Sequence, residues 1–200
     1  MPDPHTRVCP ATISWGLDNN FRKILQPPER IFGTFIHPGD TVLDIGCGPG
    51  FFTRAMARMV GDDGLVIAVD LQEEMLEKLQ ERAGREGLLR RIRVVKASEE
   101  SLNLRGQNPA HFALAFYVVH EVPEKARFFR ETYDALLPSG KLLVVEPKMH
   151  VTREEFHASA RLAQNAGFRV FGERKVLLSR AMLLERMNRQ GRSSRVAGSP

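Results

Sequence analysis

The chain has 200 residues, of which 42% are hydrophobic, which fits one domain with its own core. No apolar run approaches the roughly 18–20 residues that span a bilayer, and residues 1–10 carry no apolar leader, so neither a membrane span nor a signal peptide is expected. Two cysteines, Cys9 and Cys47, exclude a disulfide framework and a multi-cysteine metal site and point to a reducing, cytoplasmic setting.

The net charge of +5 raises the question of nucleic acid. The charge is concentrated near the end. Arg174, Lys175, Arg180, Arg186, Arg189, Arg192 and Arg195 face only Glu185 over 174–195. Residues 187–200 are polar and rich in glycine and serine, and read as a flexible basic tail. A nucleic-acid partner is therefore not favoured.

Residues 1–40 read as a helical segment. Trp15, Leu17, Phe21, Ile24 and Leu25 share an apolar face, Pro27 and Pro28 break it, and a further helix is expected near 29–36. Thr41, Val42, Leu43 and Ile45 then form an apolar, β-branched run that predicts a buried strand. Gly46, Gly48 and Gly50 end it, and a helical pattern runs from Phe51 to Val60. Strand, glycine loop and helix together bring backbone close to a ligand at a helix N-terminus. Asp44 lies two residues before the first glycine.

The glycine spacing separates two cofactor classes. A dinucleotide fingerprint, G-x-G-x-x-G, would place its third glycine at position 51, which is Phe51. A pyrophosphate also favours an anion-friendly loop, whereas Asp44 adds negative charge. A carboxylate there suits a cofactor with a cationic end, such as the amino group of a methionine moiety. Residues 44–50, Asp-Ile-Gly-Cys-Gly-Pro-Gly, resemble the first motif of the class I S-adenosylmethionine-dependent methyltransferases. A second run, Leu65 to Val69, follows the turn residues 61–64 and ends in Asp70, 20 residues after Gly50. An acid at the end of a second strand accepts both ribose hydroxyls of an adenosine, a device shared with NAD enzymes. Its alternative role is a helix N-cap. In the family the residue after this acid, here Leu71, packs on the adenine, with Met75 one helical turn further.

Strands and helices alternate onward, which predicts an α/β chain. Helices are expected at 73–85, at Ser98 and from Glu124, the last stopped by Pro138, Ser139 and Gly140. Strands are expected at 91–95, 111–118 and 141–146. A helix over 152–166 opens with a capping box, Thr152 and Glu155. Strands at 168–173 and 176–184 are expected to close the chain as an antiparallel pair. Residues 137–142 and 166–168 resemble the family's L-x-P-G-G and A-G-F segments. The resemblance covers about residues 40–185 and implies a seven-stranded, mostly parallel Rossmann-like sheet with the last strand antiparallel and helices on both faces. The expected organisation is a possible lid in 1–40, a methyltransferase domain in 41–186 and the tail in 187–200.

The cofactor implied is S-adenosyl-L-methionine, held by Asp44, Gly46, Cys47, Gly48, Gly50, Asp70, Leu71, Met75, Ala97, Ser98, Glu99 and Phe116. Two departures from the family pattern stand out. Ala97 takes the place of the acid that binds the adenine amino group, which leaves Ser98 or Glu99 as substitutes, and Ala113 replaces the aspartate of the fourth strand. Ligands in such sheets bind beyond the strand ends at the switch point. His120 and Tyr117 are thus the candidate catalytic residues, with Glu146 and His150 at the same edge after the fifth strand. The six histidines are scattered without metal-ligand spacing, so no metal is expected. The acceptor is expected to be a small molecule, its pocket completed by Trp15 and Phe21 or by a second subunit in a homodimer. An RNA or protein acceptor, or a non-catalytic adenosylmethionine-binding protein, is the alternative.

Overall fold

The computed structural model describes residues 26–188. A short helix, α1 (Pro28–Phe32), continues as a 3-10 turn over Gly33–Phe35. The alternation then runs β1 (Thr41–Ile45), α2 (Phe51–Val60), β2 (Leu65–Asp70), α3 (Glu73–Arg85), β3 (Ile92–Lys96), β4 (Ala110–Phe116), α4 (Lys125–Ala135), β5 (Leu136–Pro147), α5 (Arg153–Ala166), β6 (Phe168–Arg174) and β7 (Ser179–Arg186). One seven-stranded sheet has the order β3-β2-β1-β4-β5-β7-β6. Every neighbouring pair from β3 to β5 is parallel, and β7 is antiparallel to both β5 and β6. The expected fold class is therefore the observed one.

Period-two alternation sorts the side chains of the buried strands into two cores. Val42, Phe112, Leu114 and Phe116 pack on one face with Phe32, Phe52, Met56 and Leu76. Leu43, Ile45, Ala113 and Ala115 face the other way, toward Phe128, Phe129, Tyr133 and Phe156. Chain order reverses between β1 and β4, and this crevice beyond the strand ends is where ligands bind in open α/β sheets. The Thr152–Glu155 capping box forms as expected, and Gly167 ends α5 in the left-handed region at φ +116°.

Several sequence expectations shift. Ser98 opens no helix. Its backbone N–H donates to the Ser101 carbonyl (2.8 Å) and its Oγ accepts from Ser101 N–H (3.1 Å), a local side-chain turn that competes with helix. Residues 138–140 do not stop α4, which ends at Ala135. They lie inside β5, because the fully buried Leu136 is drawn into pairing with Ala110 and the register slips before Phe112. β4 ends at Phe116 rather than 118, since Tyr117 takes φ +61°. β7 starts at Ser179 because Leu178 turns at φ +56°. The Trp15 and Phe21 lid and most of the basic tail lie outside the described residues.

Candidate functional site

The glycine loop is closed by its own hydrogen bonds. Gly46 and Cys47 N–H groups both donate to the Val69 carbonyl (2.8 and 3.0 Å), and Gly50 N–H donates to the Cys47 carbonyl (3.1 Å). Gly48 N–H donates to Asp70 Oδ2 at 2.8 Å. Position 49 is proline, which has no N–H. Each loop N–H from Gly46 to Gly50 is thus spent within the protein. Sterics require glycine at two of these sites. A Cβ on Gly46 (φ +70°) would come 2.7 Å from Val118 Cγ2, and one on Gly50 (φ +86°) 2.1 Å from Leu79 Cδ1. At Gly48 (φ +51°) a Cβ would meet nothing within 4 Å. The loop therefore packs down at both ends and opens to space in the middle.

Two buried carboxylates flank it. Asp44 accepts from Thr53 Oγ1 at 2.6 Å, which ties the end of β1 to the first turn of α2. Asp70, at the end of β2, accepts from Gly48 N–H through Oδ2 and from Gln72 N–H through Oδ1 (2.9 Å). Asp70 is not the cap of α3; that residue is Gln72. Each carboxylate oxygen of Asp70 has a second lone pair beyond its backbone bond. Burial pushes the Asp70 carboxyl up, while the backbone donors and the charge of Lys96 pull it back. The Cys47 thiol is pushed well above the usual range, first by burial and then by the charges of Asp44 and Asp70.

The other expected cofactor residues surround the same edge. Leu71 is half-buried directly after Asp70, and Met75 is buried on α3. Ala97 is buried, and its N–H donates to the Asp70 carbonyl oxygen (2.9 Å). Ser98 and Glu99 are exposed in the turn beyond β3. Phe116 is buried with its ring 4.6 Å from that of Phe52 and 4.4 Å from that of Tyr117. Thr53 escaped sequence reasoning. A hydroxyl in the first turn of the helix after a glycine loop, over a buried acid, is the signal that could have found it.

At the ends of β4 and β5 lies a second cluster. Tyr117 is half-buried, its hydroxyl 2.7 Å from Ser179 Oγ and accepting from Gln26 Nε2 (3.1 Å). Glu146 does not face outward with His150. It is 2% exposed, and Oε1 accepts from Val119 N–H at 3.0 Å. Oε2 accepts from His120 N–H (3.2 Å) and lies 2.7 Å from His120 Nδ1. Burial pulls the His120 pKa down. The hydrogen bond and charge of Glu146, with the charge of Glu121, outweigh it and hold the ring above its ordinary value against Lys125. The exposed His150 ring lies parallel to that of His120 with centroids 6.1 Å apart. Among the described residues no group of three or more histidines, cysteines or acids is arranged to hold a metal, and no helix is long and apolar enough to cross a membrane.

A family model described as a methyltransferase domain matches residues 42–140. Over 113 residues the chain is 36% identical to an arsenite methyltransferase of Halobacterium salinarum, covering 54% of this chain and 27% of that protein. Over 111 residues it is 33% identical to a ubiquinone/menaquinone biosynthesis C-methyltransferase of Legionella pneumophila, covering 56% and 44% respectively. The chain thus spans less than half the length of these relatives. The crystal structure of an S-adenosylmethionine-dependent methyltransferase from Aquifex aeolicus superposes with a TM-score of 0.77 at 26% identity, covering 89% of this chain and 99% of that one. With the acid-flanked glycine loop, the buried acid at the end of the second strand and the methyltransferase-domain match over residues 42–140, the chain belongs to the class I S-adenosylmethionine-dependent methyltransferase family.

Proposed function

We propose that this chain transfers a methyl group from S-adenosyl-L-methionine to a small-molecule acceptor. The observation that carries this reading is the glycine loop, whose own donors are spent and whose flanks are two buried carboxylates. A pyrophosphate needs open N–H donors and a positive field. This loop offers neither and suits a cofactor with a cationic end. The open space over Gly48 is the cradle, and the remaining lone pairs of Asp70 fit a pair of ribose hydroxyls. Asp44 faces the positive end, Leu71 and Met75 border the base, and Ala97 with Ser98 and Glu99 lines the far rim.

When bound, the cofactor supplies a methyl carbon activated by positively charged sulfur. The chain's task is then to position the acceptor and exclude water. Tyr117 and His120 stand on the acceptor side. The two curated relatives named for their acceptors both act on small molecules by those names. Arsenite is not favoured here, because the chain has two cysteines and Cys47 is a buried thiol inside the loop. Cys47 also favours a reducing, cytoplasmic setting. An RNA acceptor draws little support from the basic residues near the end. Arg169 pairs with Glu185 (2.5 Å), Arg174 lies over the Phe35 ring and Arg186 over the Tyr133 ring.

Titration calorimetry tests the reading. Adenosylmethionine and its demethylated product should bind and NAD should not, and the bound forms should melt higher by mass action. Absence of heat with adenosylmethionine at millimolar concentration overturns the proposal.

A further inference from the structure

We propose that Glu146 is the positioning carboxylate of a His120 base, and that the acceptor is an acidic hydroxyl compound, a phenol or enol. The proposal rests on the transferase reading above.

Glu146 is an unusual residue for its place. It ends the apolar run Leu142 to Val145 in the middle of the sheet and is almost fully buried. A buried carboxylate is costly unless hydrogen-bonded, and its partners here all belong to the segment after β4. By holding Val119 N–H, His120 N–H and His120 Nδ1 together, it fixes both the backbone and the ring of His120. A ring that donates Nδ1–H to a carboxylate presents Nε2 as the proton acceptor. Glu121 Oε1 lies 3.9 Å from Nε2, beyond hydrogen-bonding distance, so it adds charge without occupying that nitrogen. The ring is 24% exposed, at the switch-point edge shared with the glycine loop. The charged and titratable groups around it are Glu146 from β5, Glu121 and Lys125 from the segment leading into α4, and His150 beyond β5.

A neutral amine attacks a methyl group through its lone pair, and a thiol near neutral pH already has a reactive thiolate fraction. Neither acceptor needs a fixed base. A hydroxyl does, and a phenolic proton with a pKa near ~10 lies within reach of an imidazole strengthened by a carboxylate. The balance is complete. The acceptor oxygen, or its conjugated carbon, bonds to the methyl carbon as the bond from that carbon to sulfur breaks. The sulfur keeps the electron pair and becomes a neutral thioether. The hydroxyl proton goes to His120 Nε2, and the resulting imidazolium is held by Glu146 and Glu121 until solvent takes the proton.

The experiment combines nitrogen-15 NMR titration of His120 in the whole chain with single-turnover transfer of labelled methyl to catechol and 4-methoxyphenol. Thiophenol and aniline serve as matched controls. Above its pKa the ring should be the Nδ1–H tautomer. Transfer to the phenols should rise with pH through the value that NMR reports. Glu146→Gln should lower that value, and the rate inflection should move with it. His120→Gly should lose phenol transfer and regain it with added imidazole, which tests the base even if Glu146→Gln folds poorly. An unchanged His120 titration in Glu146→Gln, or no imidazole rescue, overturns the base pair. Transfer to thiophenol or aniline but not to phenols overturns the acceptor class. Cofactor calorimetry on the same samples keeps the outcomes apart: a chain that binds no adenosylmethionine fails the transferase reading, whereas the NMR titration judges the Glu146–His120 pair with no cofactor present.

Discussion

Two alanine substitutions in one loop should have opposite signatures. In Gly50→Ala the new Cβ would lie 2.1 Å from Leu79 Cδ1, 3.2 Å from its Cγ and 3.3 Å from its Cβ. Leu79 is fully buried, so it cannot swing aside without displacing Leu76 and Ala83 around it. Overpacking of this kind costs about 1–3 kcal/mol, and a left-handed backbone at φ +86° adds about 1–2 kcal/mol for a residue with a Cβ. The sum, about 2–5 kcal/mol, corresponds to a Tm drop of roughly 4–20 °C for a domain of this size. Gly48→Ala carries only the backbone cost, since nothing lies within 4 Å of its Cβ. It should lower Tm by a few degrees while weakening adenosylmethionine much more, because its methyl fills the cradle. Thermal unfolding by circular dichroism, with calorimetry on the same samples, reads both quantities. Equal Tm losses in the two variants would refute the packing argument. Unchanged affinity in Gly48→Ala would refute the assignment of the open space to the cofactor.

Asp70→Ala should weaken adenosylmethionine by roughly 30-fold or more, since it removes two acceptor bonds of about 1 kcal/mol each and frees the Gly48 N–H that shapes the loop; parent-like affinity by calorimetry would assign Asp70 to loop structure alone. The Asp70 carboxyl is held above its ordinary value by burial, so cofactor affinity should fall as pH drops through that raised value, earlier than an ordinary aspartate would require, and a flat affinity profile on the acid side would count against the ribose role. His120 has a folded pKa above its unfolded one. Its contribution to stability is therefore fully present below the unfolded value, near ~6.5, and is lost as pH rises through the folded value. Chemical denaturation at a series of pH values should show this loss in the parent and a smaller one in Glu146→Gln, whereas identical slopes would mean that Glu146 does not set the ring's affinity for protons.

Much of the fold was legible because its signals are local. The apolar runs of β1 and β2, the glycines at the end of β1 and the Thr152–Glu155 box each act within a few residues, and all three appear where the residues predicted them. The placement of the two acids was legible for the same reason, since Asp44 and Asp70 stand at strand ends beside the loop they flank. What failed locally depended on competition from elsewhere. The residues at 138–140 look like a helix stop, but the pull of Leu136 into the sheet made them a bulge within β5. Ser98 lost its helix to a side-chain turn.

The sequence alone determined the alternation, the glycine loop and the acids at the strand ends, because period, chain stiffness and turn chemistry are short-range properties. Tertiary structure alone decided how those parts meet. That the Gly46, Cys47 and Gly48 donors are satisfied follows from Val69 and Asp70 on β2, 22 residues away in the case of Gly48 and Asp70. The joining of His120 to Glu146, 26 residues later in the chain, follows from the parallel pairing of β4 with β5, which brings both strand ends to one edge. Hydrogen bonds act over about 3 Å, so residues far apart in sequence become partners only once the register of the sheet has set which strand ends stand together.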